Sequence, residues 1–221
     1  MSCHHRVMTG TTAVRSIARC TALVLLLASS LTLAQPPYSQ PGHTPGWGPT
    51  QAQQPPPPVD LPIQNIPQET QVWCWAAVAQ QIILATHGPQ ATPPQCALVA
   101  RAYGQHPNTC CANPANCTVT GQLPQIQGLI AEYGGRHSSV QHPTDPMTLY
   151  QTLAAGKAII MAVKSSPFSG HVVVLRGMAW MPTPFGTMEP MLIINDPMAY
   201  YTQPVPFSQI AQIWEQAIVI Q

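Results

Sequence analysis

The run QETQVWCWAAVAQQIIL, from Gln68 to Leu84, constrains this chain more than any other stretch. From Trp75 the apolar residues recur at Val78, Ala79, Ile82 and Ile83, the spacing of one helical face. No proline interrupts it, and Ala76, Ala77 and Ala79 are strong helix formers. A helix beginning here carries Cys74 in its first turn, between Trp73 and Trp75. The unpaired backbone N–H groups and the macrodipole at that end favour an anion, and the thiolate is the nucleophilic form of cysteine. The competing reading makes Cys74 one more buried or disulfide-bonded cysteine, so the other cysteines have to be accounted for.

Residues 1–34 have the layout of a secretory signal. Arg6, Arg15 and Arg19 precede an apolar run from Ala22 to Leu33, with cleavage expected after Ala34. The run is short of the roughly 20 residues that span a bilayer, which leaves an uncleaved anchor as the weaker alternative. Cys3 and Cys20 leave with the signal. Residues 35–60 form a Pro/Gln-rich linker. Up to Pro58 it has no Lys, Arg, Asp or Glu and almost no aliphatic side chain, so it cannot bury a core and is expected to be disordered. Residues 61–221 are the size of one ordinary domain.

Charge is scarce from Asp60 onward. Arg101, Arg136, Lys157, Lys164 and Arg176 face Asp60, Glu69, Glu132, Asp145, Glu189, Asp196 and Glu215. There is no basic patch for nucleic acid and no charged amphipathic face for a membrane. After signal removal five cysteines remain, an odd number, and four of them (Cys96, Cys110, Cys111 and Cys117) lie in one loop-rich segment. Bonding between the neighbours Cys110 and Cys111 would close a strained ring. Cys96 therefore pairs with one of them and Cys117 with the other, which leaves Cys74 free. A four-cysteine zinc site is disfavoured by the adjacent CC pair and the lack of any CxxC, and neither metal nor cofactor is expected.

Helices are expected over Gln95–Tyr103, within Gly121–Gly134, where Ile126, Leu129, Ile130 and Tyr133 share a face, and over Pro146–Gly156. The second half changes character. Lys157–Val163, His171–Trp180 and Pro190–Asp196 are rich in branched apolar residues and bounded by turn material, so they read as strands. A short helix over Ser208–Gln216 and a last strand AIVI complete the chain. A helical half carrying the cysteine, followed by an antiparallel sheet, is an α+β architecture.

A nucleophilic cysteine needs a base within hydrogen-bond reach and a third group that holds the base's tautomer. His171, after Gly170 at the head of a strand, is the best-placed base; His87, His106, His137 and His142 read as surface histidines. Asp196, at the end of MLIIND and before Pro197, is the orienting group, with Asn195 as fallback. Glu189 reads as solvated and Glu215 as peripheral. Gln68, six residues before Cys74, is positioned to donate to a developing oxyanion alongside the Cys74 N–H, and Gln71 is its alternative.

This order, Gln68, then Trp73-Cys74-Trp75-Ala76-Ala77, then Gly170-His171-Val172-Val173-Val174, then Asn195-Asp196-Pro197, resembles papain-like cysteine peptidases. It resembles most the small bacterial branch with secreted effector proteases and staphopain-like enzymes. The resemblance implies a helical subdomain carrying the cysteine, packed on a twisted antiparallel sheet carrying His171 and Asp196. By the same analogy Cys74 is the nucleophile, His171 the general base and acid, Asp196 the orienting group and Gln68 part of the oxyanion hole. The expected protein is a secreted or periplasmic monomer that hydrolyses protein or peptide substrates through a thioester. Three alternatives stand beside that reading: a cell-wall peptide amidase or acyl transferase with the same triad, an inactive binding module, and a disulfide-stapled structural module.

Overall fold

The computed structural model describes residues 54–166 and 169–221. The signal segment 1–34 and the linker as far as residue 53 lie outside the described residues. Six α-helices are present among them: α1 Cys74–His87, α2 Gln95–Ala102, α3 Pro107–Cys111, α4 Leu123–Gly134, α5 Pro146–Ala154 and α6 Phe207–Ala211. The strands are β1 Val59–Asp60, β2 Ser138–Gln141, β3 Ile159–Ser166, β4 Ser169–Pro182, β5 Met188–Asn195, β6 Val205–Pro206 and β7 Trp214–Ile220. Local chemistry sets several helix ends. The Asp145 carboxylate accepts from the backbone N–H groups of Met147 and Thr148, at 2.9 and 3.0 Å, and caps α5. Helix α4 stops at Gly135, whose φ of 57° is the left-handed conformation that terminates helices.

The strands form one antiparallel sheet in the order β2-β7-β3-β4-β5-β6, with β1 pairing β4. Alternation along the strands divides the core in two. Ile160, Val172, Val174, Ile218 and Ile220 pack with the apolar faces of α1, α2 and α4. Their neighbours Ile159, Met161, Val173, Leu175 and Val219 pack with Leu149 and Leu153 of α5 and Ile210 of α6. Because both faces are covered, β4 reads as the unbroken apolar run VVVL.

Of the differences from the sequence reading, which include α3 and β6, three are instructive. Val59 and Asp60, assigned there to the end of the linker, are a strand. Val59 pairs with Met178 and Asp60 with Gly177, and Asp60 forms an ion pair with Arg176. A Cβ on Gly177 would lie 2.6 Å from the Val59 carbonyl oxygen, so β1 docks only because position 177 has no side chain. Second, β2 falls in the polar stretch RHSSVQHPTD. It pairs with β7, but its side chains are half-buried or exposed, so no apolar alternation announces it. Third, the last helix is shorter and the last strand longer than the pattern suggests. Trp214 is buried and already pairs with Val163.

The disulfides join Cys96 to Cys111 and Cys110 to Cys117, tying α2 to α3 and α3 to the turn that follows. That turn leads into the segment Cys117–Gln122, which the two tryptophans around Cys74 hold directly. Trp73 Nε1–H donates to the Cys117 carbonyl at 2.8 Å, and Trp75 Nε1–H to the Val119 carbonyl at 3.2 Å. Gly121 lies flat against the Trp75 indole, and a Cβ there would sit 2.1 Å from Trp75 Cδ2. Gly121→Ala must therefore push the indole or the segment away. The expected loss of unfolding free energy is about 1–3 kcal/mol, read by denaturant titration; unchanged stability would mean that the ring moves freely.

Candidate active site

Cys74 is the first residue of α1 and the free cysteine among the described residues; it is half-buried. The helix closes behind it with the Ala77 N–H donating to the Trp73 carbonyl at 2.9 Å. His171 stands near the start of β4, opposite Val163 of β3, and is 3% exposed. Asp196 directly follows β5 and is 1% exposed. His171 Nε2 and Asp196 Oδ1 are 2.6 Å apart. With Nε2 committed to the carboxylate, Nδ1 is the ring nitrogen left to face the thiol.

The Asp196 carboxylate is held on all sides. Oδ1 also accepts from the Met198 N–H at 2.9 Å, and Oδ2 accepts from the N–H groups of Tyr200 and Tyr201 at 2.7 and 3.1 Å. The loop that aims these donors turns through Ala199, whose φ of 57° is left-handed, and whose N–H returns to the Asp196 carbonyl at 3.1 Å. Burial acts to raise the Asp196 pKa. The bonds from His171 and the loop amides outweigh it, and the group stays below its ordinary value. At His171, burial acts to lower the pKa. The hydrogen bonds to Asp196 and Cys74, and the charges of both, outweigh it and push the imidazole up to about 9. The Tyr200 ring meets the imidazole edge-on, centroids 5.8 Å apart.

Cys74 and His171 open into a cleft of about 570 Å³. Trp75 and the segment Thr120–Leu123 form one wall, and residues of β3 and β4 with Met198 and Tyr200 form the other. The structure thus gathers Cys74, His171 and Asp196. Gln68 is turned elsewhere: its Nε2 donates to the Thr70 carbonyl at 2.6 Å, and its Oε1 is buried without a hydrogen-bond partner among the described residues. Gln71 lines the cleft instead. Asn195 does not reach the imidazole. Its Nδ2 donates to the Ile63 carbonyl at 2.8 Å, and its Oδ1 accepts from Arg176 Nε at 3.0 Å. Glu215, which looks peripheral from its place near the chain end, lines the cleft and pairs with Lys164 at 3.3 Å, because β7 lies beside β3. Glu189 accepts from Ser208 Oγ at 2.8 Å.

Sequence reasoning overlooked the indole clamps, Tyr200 and the wall at Thr120–Leu123. The one available signal was the pair of tryptophans flanking Cys74, each with an N–H that needs a partner when buried. Among the described residues no group of three or more His, Cys, Asp or Glu side chains is placed to hold a metal ion.

A family model described as the Peptidase_C39 like family matches residues 60–218. Among solved structures, the peptidase domain of Streptococcus ComA, a bi-functional ABC transporter involved in a quorum sensing pathway, is similar at 16% identity and a TM-score of 0.49. The match covers 72% of this chain and 97% of that one. A C39-like peptidase from Bacillus anthracis is similar at 15% identity and a TM-score of 0.49, covering 75% of this chain and 98% of that one. The search of curated proteins returned no match. Since the family model spans well over half of the chain, the protein belongs to the Peptidase_C39 like family and is a cysteine-type peptidase of papain-like fold.

Proposed function

We propose that this protein hydrolyses peptide bonds through a thioester acyl-enzyme, with Cys74 as nucleophile, His171 as general base and acid, and Asp196 as the group that orients His171. The observation that carries the reading is the free Cys74 at the head of α1, facing the buried His171–Asp196 pair. In this mechanism the sulfur attacks the scissile carbonyl carbon while the cysteine proton resides on His171. The imidazolium then gives that proton to the departing amine as the C–N bond breaks, leaving the acyl group on sulfur. Water, deprotonated by His171, attacks the thioester, and the thiol leaves as the carboxylic acid forms.

The oxyanion of each tetrahedral intermediate falls to the Cys74 N–H at the helix N-terminus and a side-chain amide. Gln71 already lines the cleft, whereas Gln68 serves only after releasing the Thr70 carbonyl. The signal-type layout of residues 1–34 supports a secreted or periplasmic enzyme; the family supports protein or peptide substrates, and the protein is read as a monomer.

Cys74→Ala is expected to abolish peptide hydrolysis, by roughly 10³-fold or more in kcat, measured on a peptide library; retained activity would overturn the reading. The raised pKa of His171 adds a pH signature. The folded state favours the imidazolium, so this stabilisation is complete below about pH 6.5 and is lost as pH rises through about 9. The same deprotonation removes the general acid. The alkaline limb of kcat/KM is therefore expected near pH 9, and Asp196→Asn is expected to move it downward. A limb unmoved by Asp196→Asn would mean that the carboxylate does not govern the imidazole.

A further inference from the structure

The segment from Asn65 to Thr70 runs between the two parts of the site, and both sides grip it. On the sheet side, Asn65 Nδ2–H donates to the Asp196 carbonyl at 3.2 Å and the Gln68 N–H to the Pro197 carbonyl at 3.1 Å. On the helix side, Gln81 Nε2–H₂ donates to Asn65 Oδ1 at 3.1 Å and to the Ile66 carbonyl at 3.2 Å. Gln95 of α2 adds a second grip: its Nε2 donates to the Pro67 carbonyl at 2.8 Å, and its Oε1 accepts from the Glu69 N–H at 2.9 Å.

Gln81 is fully buried. It follows Cys74 by two helical turns and so lies on the same face of α1, about 10 Å farther along the axis. Both its N–H bonds go to this strap, Asn65–Thr70, while its Oε1 is buried with no hydrogen-bond partner among the described residues. Burying an amide in an otherwise apolar helix face with one atom unsatisfied is unfavourable for stability. A methionine of similar volume would fill the same space without that penalty. The amide is therefore better explained by what its two N–H groups hold than by stability.

We propose that Gln81 is a positioning residue: through Asn65 it ties the loop that carries Asp196 to the helix that carries Cys74, and so fixes the carboxylate and imidazole relative to the thiol. The proposal rests on the catalytic roles given above. Gln81 touches neither substrate nor reacting atoms. Its effect passes through the Asp196 carbonyl, from which the loop Pro197–Tyr201 turns back to supply the N–H groups around the carboxylate. The groups facing His171 are Cys74 from α1 and Asp196 and Tyr200 from the loop after β5; Glu215 of β7 and His171 line the same cleft.

The test uses Gln81→Met, Asn65→Ala and the double variant of the full chain. Each is compared with the wild type in kcat, KM, thermal midpoint and an NMR titration of the His171 ring protons. Each single variant is expected to lower kcat about 10-fold with KM within roughly twofold, as small misplacements of catalytic groups do. The His171 titration is expected to move from about 9 toward 6.5. Gln81→Met is expected to change the thermal midpoint only slightly, because removal of the unsatisfied oxygen offsets the loss of its two hydrogen bonds. The double variant is no worse than the more impaired single one, as for two links of one chain. If Gln81→Met folds poorly, Asn65→Ala, on an exposed residue, carries the same readouts. Unchanged kcat and His171 titration in a protein whose wild type depends on Cys74 would overturn the positioning role alone, as would additive effects in the double variant. A wild type indifferent to Cys74→Ala would instead overturn the catalytic reading beneath it, and the NMR titration would still report whether the strap couples to His171.

Discussion

The buried bond between His171 and Asp196 is the constraint around which the sheet half is built. Both side chains are almost wholly removed from water. An ionised carboxylate in such a place is tolerated only when its oxygens are fully occupied by donors. Besides the imidazole, the occupants are the backbone N–H groups of Met198, Tyr200 and Tyr201, so the six residues from Asp196 to Tyr201 have almost no conformational choice left. The left-handed Ala199 is where that demand appears in the backbone. The same arrangement keeps Asp196 ionised and makes His171 a strong base, one set of contacts with two electrostatic consequences.

The helical half meets a different demand. Its thiol sits beside the cleft wall formed by Trp75 and Thr120–Leu123, which must be held in place. The two tryptophans achieve this by bonding, from either side of Cys74, to the carbonyls of Cys117 and Val119. Cys74 and this wall thus form one body, closed by the Cys110–Cys117 disulfide at the wall's base. The two halves then have to be registered against each other. Apolar packing between α1 and the sheet supplies the attraction but is non-directional. Direction comes from the strap before Cys74, whose amides bond alternately to the sheet-side loop and to the helices.

Much of this was legible in the chain. The start of α1 at Cys74 follows from alanine content and the 3.6-residue period. The long strands follow from branched apolar runs between turns, and the end of α4 from paired glycines. The chain order of Cys74, His171 and Asp196 could be read as well. What escaped reading depends on partners distant in sequence. Strands of two to four residues such as β1, β2 and β6 have no periodicity of their own and exist because a neighbour offers unpaired N–H and C=O groups. Glu215 looked peripheral because nothing local says that β7 lies beside β3. The rotation of Gln68 onto Thr70, and the commitment of Asn195 to Ile63 and Arg176, are likewise decided by tertiary neighbours. Helix α5 follows the other helices in a mainly helical half, yet covers the far face of the sheet, because a sheet apolar on both sides must be covered on both.

The polar junctions of this domain are mostly neutral. Only 7% of the chain is charged, and the bonds that fix the strap and the end of β5 come from the amides of Asn65, Gln81, Gln95 and Asn195. Amides do not titrate and are weakly affected by salt, whereas exposed ion pairs such as Arg101–Glu132 are screened and contribute little. Scaffolding of this kind holds its geometry while the pH around it changes. The response to protons is then concentrated on His171, an imidazole pressed between a carboxylate and a thiol. A carboxylate or lysine in place of Asn65, whose amide bonds to the Asp196 carbonyl, would put an extra charge beside the imidazole's partner and shift its titration. Neutral amides at Asn65 and Asn195, on either side of this junction, leave the basicity of His171 to be set by Asp196 and Cys74.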